Sequence, residues 1–160
     1  MKIIDNYLPK ENLEALQHLI VWNKFFPFFL GQGVANGEDI NSDFNNWYAA
    51  HVLYVGSKPT EYFNHVFDLL NFKSKILLKL KVNFYPHTNV VYEHAPHVDY
   101  PFPCRAGLLS LNTCDGFTRL ADGTKVDSIA NRMLFFEGGE LHNSSTTTNS
   151  GRFNININYL

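Results

Sequence analysis

His97, Val98 and Asp99 form a His-x-Asp triplet; after it the chain offers one further histidine, His142, and after that one arginine, Arg152. Two imidazoles and one carboxylate suit a divalent transition metal such as iron, and they leave positions open for a chelating cosubstrate and dioxygen together. A guanidinium meets a carboxylate with two parallel hydrogen bonds, so Arg152 is a candidate anchor for a dicarboxylate cosubstrate. The triplet alone is a weak signal. The order behind it carries more weight, because each position is filled without choosing among candidates. Three protein ligands also leave a metal shell incomplete, which disfavours a purely structural ion and a simple binding module.

The elements that must position these residues read as helices first and strands afterwards. Leu13, Leu16, Leu19 and Ile20 recur at helical spacing behind Pro9, so residues 9 to 23 read as an amphipathic helix. The aromatic run Phe25 to Phe29, broken by Pro27, reads as core packing under a loop. Residues 31 to 46, rich in Gly, Asn and Asp, mark a connection that is either a lid or an ordinary surface loop. Residues 59 to 72 look helical again, with Phe63, Val66, Phe67 and Leu70 on one face.

From Ile76 the period changes to two, and Asn83 and Tyr85 project from the same face of one strand as Lys79 and Lys81. At the chain's end Arg152, Asn154, Asn156 and Asn158 alternate with Phe153, Ile155, Ile157 and Tyr159. That polar face either meets solvent, as in a half-buried strand, or lines the cavity of a small barrel, and the metal constellation favours the second. Between these strands lie short segments at Ala106 to Asn112, Gly116 to Ala121 and Met133 to Phe136, separated by Asp-Gly and Gly-Gly turns.

Composition agrees with one catalytic domain over residues 1 to 160, with helical support to about 75 and a β core from about 76. The formal net charge of −2 gives no global pull toward nucleic acid or anionic membrane. Met1 to Tyr7 has no signal-peptide pattern and no apolar run reaches a membrane span, so the chain reads as a cytoplasmic protein. Cys104 and Cys114 do not make a disulfide framework, and reduced thiols are the default.

Phe84-Tyr85-Pro86, His97-Val98-Asp99, Leu111-Asn112, Gly116 to Leu120, Asn131 to Phe136, His142 and Arg152 together resemble the iron(II) and 2-oxoglutarate dependent dioxygenases, within them the prolyl 4-hydroxylase-like branch. The resemblance spans Asn83 to Leu160. It implies a mainly β fold with flanking N-terminal helices, a distorted double-stranded β-helix of the jelly-roll or cupin-like kind. It further implies that His97, Asp99 and His142 hold Fe(II), that 2-oxoglutarate chelates the metal, and that Arg152 pairs with its far carboxylate. Tyr85 matches a tyrosine that adds a hydroxyl to that pocket, and ascorbate would serve as a reductant. The implied reaction converts 2-oxoglutarate and dioxygen to succinate and carbon dioxide while a substrate carbon is hydroxylated.

The chain departs from the animal prolyl hydroxylases where a second tyrosine reaches the cosubstrate; Ser110 stands there, and the pocket relies on Tyr85, Asn83 or Asn154. Asn83 with Tyr85 and Arg152 with Asn154 also resemble the nucleic-acid repair branch, although the short His142 to Arg152 separation favours the first. The expected substrate is a peptide or protein, most simply at proline, with loops 31 to 46 and Glu93 to Pro103 to close on it. A nucleic acid base or a small metabolite is the alternative.

Other titratable residues have plainer readings. His87 and His94 read as exposed loop histidines, and His18, His51 and His65 as surface or capping residues. Lysines 73, 75, 79 and 81 read as a solvated strand face before a nucleic-acid track.

Overall fold

A computed structural model describes residues 1–33, 47–74 and 76–160, together with the backbone but not the side chain of Gln32. Most of the proposed lid, from residue 34 to 46, and Lys75 lie outside the described residues. Those described form strands β1 (Lys2–Ile4), β2 (Phe29–Gln32), β3 (Trp47–Val55), β4 (Lys58–Pro59), β5 (Leu77–Tyr85), β6 (Arg105–Ser110), β7 (Phe117–Leu120), β8 (Lys125–Asp127), β9 (Met133–Glu137), β10 (His142–Ser144) and β11 (Arg152–Tyr159). Two helices, α1 (Lys10–Leu16) and α2 (Phe63–Leu70), precede most of them.

The strands make two sheets. The larger runs β1-β9-β6-β11-β5-β3-β2, with β4 attached to β3, and the smaller runs β10-β7-β8. All of the pairings between these strands are antiparallel. This is a mainly β double-stranded β-helix with helices flanking it, as the resemblance implied.

Alternation decides which way each strand faces. Leu80 and Val82 of β5 and Ile155 and Ile157 of β11 are buried with Leu16 and Ile20 from the first helical segment and Val66 and Leu70 of α2, so the helices cover one face of the large sheet. Each such side chain contributes roughly 1.5–3 kcal/mol on burial. A second cluster, Leu108, Val126, Leu134 and Phe136, brings residues of both sheets together. The opposite, polar side of β5 and β11 therefore faces the space between the sheets.

Several elements differ from the sequence reading. The first helix is α-helical only to Leu16 and then widens into a π-helical turn over Gln17–Val21. The second begins at Phe63, because residues 58–59 pair with β3 as a short strand. It stops at Asn71, which adopts a left-handed conformation with φ of 46°. The aromatic run divides: Phe26 is buried while Phe25 and Phe29 are exposed. Strand β3 is the longest of the strands the sequence reading missed, the others being β1, β2, β4, β8 and β10. Burial in β3 alternates from Tyr48 to Leu53, but both faces carry mostly apolar or aromatic residues, and the register against β5 shifts between Val52 and Tyr54. Cys104 and Cys114 are both buried and unpaired with each other. Among the described residues no helix is long and apolar enough to cross a membrane.

Candidate active site

The metal-ligand candidates come from two places and meet at one. His142 opens β10, while His97 and Asp99 lie on the loop before β6. The loop is held to the strand by a backbone bridge between His97 and His142. Each residue offers a ligand atom, and these atoms all lie within 4.8 Å of one another. His142 Nδ1 bonds the Glu140 carbonyl at 2.9 Å. A carbonyl only accepts, so Nδ1 carries the proton and Nε2 is left with its lone pair toward Asp99, whose Oδ2 is 3.8 Å away.

Asp99 is oriented from below by β11 and β5. Asn158 Nδ2 donates to Oδ2 at 2.8 Å and Asn156 Nδ2 at 3.3 Å, while Lys79 Nζ stands 3.7 Å from Oδ1. Burial opposes its ionisation most strongly, but Lys79, His142, the Asn158 hydrogen bond and Lys81 together hold the carboxyl below its usual range. Burial first, then the neighbouring His142, pushes His97 down to about 4, so near neutrality its ring is uncharged, as a metal ligand must be.

The remaining candidates line the same cavity. Register pairs Arg152 with Tyr85 and Asn154 with Asn83 directly across β11 and β5. All four line a cleft of about 440 Å³, counting its part open to solvent, together with His97 and His142. Asn83 donates to Asn154 at 2.9 Å. Arg152 is 1% exposed, and its guanidinium sits 5.2 Å from the centre of the Tyr85 ring. It donates to Ser128 Oγ at 2.7 Å, Thr118 Oγ1 at 2.8 Å and the Ser145 carbonyl at 3.1 Å. Every one of these partners is neutral, and no acidic side chain among the described residues pairs with the arginine. Burial pulls the guanidinium below its usual range and raises the Tyr85 hydroxyl above its own. A buried cation set among neutral dipoles is a receptor for an anion.

That donor set fits the implied groups. Two imidazoles and a carboxylate converge within reach of a single ion, and a lone arginine waits in the same cleft. The buried Oδ1 atoms of Asn83 and Asn156 also have no hydrogen-bond partner among the described residues. Gly116 makes the arrangement possible: a Cβ there would sit 2.7 Å from Arg152 Cδ.

Ser110 occupies the expected position, opposite Asn154 on β6, and is buried. The tyrosine that the cleft does contain beyond Tyr85 is Tyr48 on β3, whose ring stacks on Tyr85 with centroids 6.0 Å apart. Tyr48, Asn156, Asn158, Thr118 and Ser128 were not singled out from the sequence. For the two asparagines the signal was present, because the polar alternation of Arg152 and Asn154 continues through them.

Three readings are corrected. Lys79 and Lys81 do not form a solvated face; Lys79 pairs with Asp99, and Lys81 lines the cleft, its ammonium pulled down to about 8 by burial and then by Lys79. His94 is buried, with Nδ1 3.0 Å from Ser144 Oγ and its ring against Tyr85. His51 is buried among Phe26, Phe29 and Tyr62. His87, His18 and His65 are exposed as expected.

No protein-family model matches the chain, and no curated protein matches it in sequence. Solved structures do match. A prolyl hydroxylase from Trichoplax adhaerens, in complex with a hypoxia inducible factor oxygen degradation domain peptide fragment, superposes with a TM-score of 0.66 at 19% identity, covering 99% of this chain and 82% of that one. A prolyl-4-hydroxylase from Pseudomonas putida gives 0.59 at 14% identity, covering 99% and 91%. The non-heme alpha ketoglutarate dependent epimerase SnoN from nogalamycin biosynthesis gives 0.64 at 13% identity, covering 99% and 76%. The chain has the fold of the prolyl hydroxylases. Within that fold, the two histidines and the buried arginine line one cleft, and the aspartate's ligand atom lies within 4.8 Å of those of the histidines.

Proposed function

We propose that this protein is an Fe(II)- and 2-oxoglutarate-dependent oxygenase that hydroxylates a carbon of a peptide substrate, most simply at proline. The observation that carries the reading is Arg152, buried without an anion, in the same cleft as His97 and His142, which with the adjoining Asp99 are able to converge on one ion. His97, Asp99 and His142 would hold the metal. Arg152 would take the far carboxylate of 2-oxoglutarate, with Tyr85, Asn83 and Asn154 around its body. When bound, iron, 2-oxoglutarate and dioxygen would supply oxidative decarboxylation to succinate and carbon dioxide, coupled to hydroxylation of a substrate C–H.

The chain's own residues do the rest. Asn156 and Asn158 fix the orientation of Asp99, Ser128 and Thr118 fix that of Arg152, and Leu108 and Phe136 give the cleft apolar walls. Peptide is preferred to nucleic acid because Lys79 and Lys81 turn inward to the site instead of forming an outward phosphate track. Peptide binding in the Trichoplax adhaerens structure points the same way.

The test is to incubate the protein with Fe(II), 2-oxoglutarate, ascorbate and a proline-rich peptide, alongside a methylated oligonucleotide. The reading predicts succinate together with a one-oxygen mass gain on the peptide. Demethylation of the oligonucleotide alone, with affinity falling roughly a thousandfold between about 50 and 200 mM salt, would replace peptide by nucleic acid.

A further inference from the structure

We infer that Lys81 is the recognition point for a carboxylate on the substrate, so that this site takes a molecule bearing an acidic group close to the carbon that is oxidised. The inference rests on the function proposed above and names the substrate class for the same cleft.

Lys81 projects from the inner side of β5, one pair beyond Asn83, and lies opposite Asn156 on β11 and Val52 on β3. It lines the cleft with His97 and His142, and its Nζ is 5.5 Å from the centre of the Tyr48 ring. Its neighbour Lys79 has an anion, Asp99. Lys81 has no carboxylate within ion-pair distance among the described residues.

Charge in the loaded site sharpens the point. The far carboxylate of 2-oxoglutarate answers Arg152, and its near carboxylate with Asp99 answers the metal dication. Lys79 then shares Asp99 with the metal, and Lys81 has no anion of its own. A cation in a partly dehydrated cleft is unfavourable until an opposite charge arrives, so the cleft discriminates for a substrate that brings one. Lys81 is the one of the two that faces the open space.

The chemistry of the walls selects carboxylate over phosphate. A phosphate is held by several donors or by an arginine fork, and among the described residues the only arginine lining the cleft is Arg152. Lys81 offers a single point charge beside Tyr48 in a cleft that Leu108 and Phe136 also line, which suits a carboxylate on a compact apolar or ring-shaped body. Such a carboxylate has two sources, an acidic side chain within a peptide or the free acid of a small molecule.

Two probe pairs separate them. A blocked hexapeptide containing Asp-Pro is compared with its Asn-Pro counterpart, and L-proline with L-prolinamide. Equilibrium binding to protein loaded anaerobically with Fe(II) and 2-oxoglutarate is measured by calorimetry, without turnover. The acidic member of one pair should bind at least about tenfold tighter than its neutral partner, which identifies the source. Lys81→Met should abolish that ratio, and Lys81→Arg should preserve it.

Ratios below about twofold in both pairs with wild-type protein would overturn the inference even if no variant could be purified. A ratio that persists in Lys81→Met would overturn it as well. A wild-type protein that binds neither iron nor 2-oxoglutarate would instead sink the oxygenase reading and this inference with it. That result is distinct from one that binds both and ignores the acidic group.

Discussion

His97 and His142 hydrogen-bond to each other through their backbones in both directions, N–H to carbonyl at 2.9 Å each way, and their ring centroids stand 4.6 Å apart. The spacing of the two imidazoles is therefore set by main-chain pairing, which side-chain substitution leaves in place. A metal centre built this way separates ligation from folding, and its residues can be changed one at a time.

Asn158 gives one such change. Its amide donates to Asp99 Oδ2 at 2.8 Å from a fully buried position. Asn158→Ala removes that donor and frees the carboxylate to turn, so iron affinity should fall about 10–100-fold while the folded β-sheet signature persists. Anaerobic Fe(II) titration against a competing chelator measures this. Unchanged affinity would mean that Asn156, Lys79 and the backbone orient Asp99 without Asn158.

Arg152 should act on the cosubstrate and leave the metal alone. Arg152→Ala leaves the incoming carboxylate unpaired, a loss on the order of 3–5 kcal/mol, so the apparent affinity for 2-oxoglutarate should drop at least about a hundredfold with iron binding retained. Gly116→Ala should move the same parameter in the same direction, because its new methyl group would stand 2.7 Å from Arg152 Cδ. Equal 2-oxoglutarate dependence in wild type and Arg152→Ala would remove the arginine from the site.

Acidity should destabilise the metal-free protein through His97. Its folded value of about 4 lies below the ordinary 6.5, so between these the unfolded chain holds more protons and stability rises with pH. The contribution is complete above about 6.5 and is lost as pH falls through 4. Asp99, held below its ordinary 3.8, loses its own contribution only at still lower pH. Urea midpoints at about pH 7 and about pH 5 should therefore differ more for wild type than for His97→Gln. Identical differences would show that His97 is not the group responsible.

The site was legible in the sequence wherever spacing alone carried it. The order of His97, Asp99, His142 and Arg152, and the period of two through Asn83 and Tyr85, led to residues that line one cleft or, for Asp99, adjoin its two histidines. Alternation left open which side of a strand faces inward. For β11 that question was settled by burial of Arg152, Asn154, Asn156 and Asn158 against the site while Ile155 and Ile157 pack beneath the helices. The same ambiguity made Lys79 and Lys81 look solvated. His51 and His94 were misread because their burial depends on partners distant in the chain, Phe26 and Tyr62 in one case and Ser144 in the other. Tyr48 lay in a strand with mostly apolar or aromatic residues on both faces, so no polar alternation marks it.

The most direct measurement is succinate formed from 2-oxoglutarate in the presence of Fe(II), dioxygen and ascorbate, without added substrate, by wild type and by His142→Ala. His142 presents Nε2 toward Asp99, and its removal leaves two protein ligands of the three. The account predicts iron-dependent succinate from the wild type, abolished by chelator, and a fall to background in His142→Ala. Succinate made by His142→Ala at the wild-type rate would contradict it.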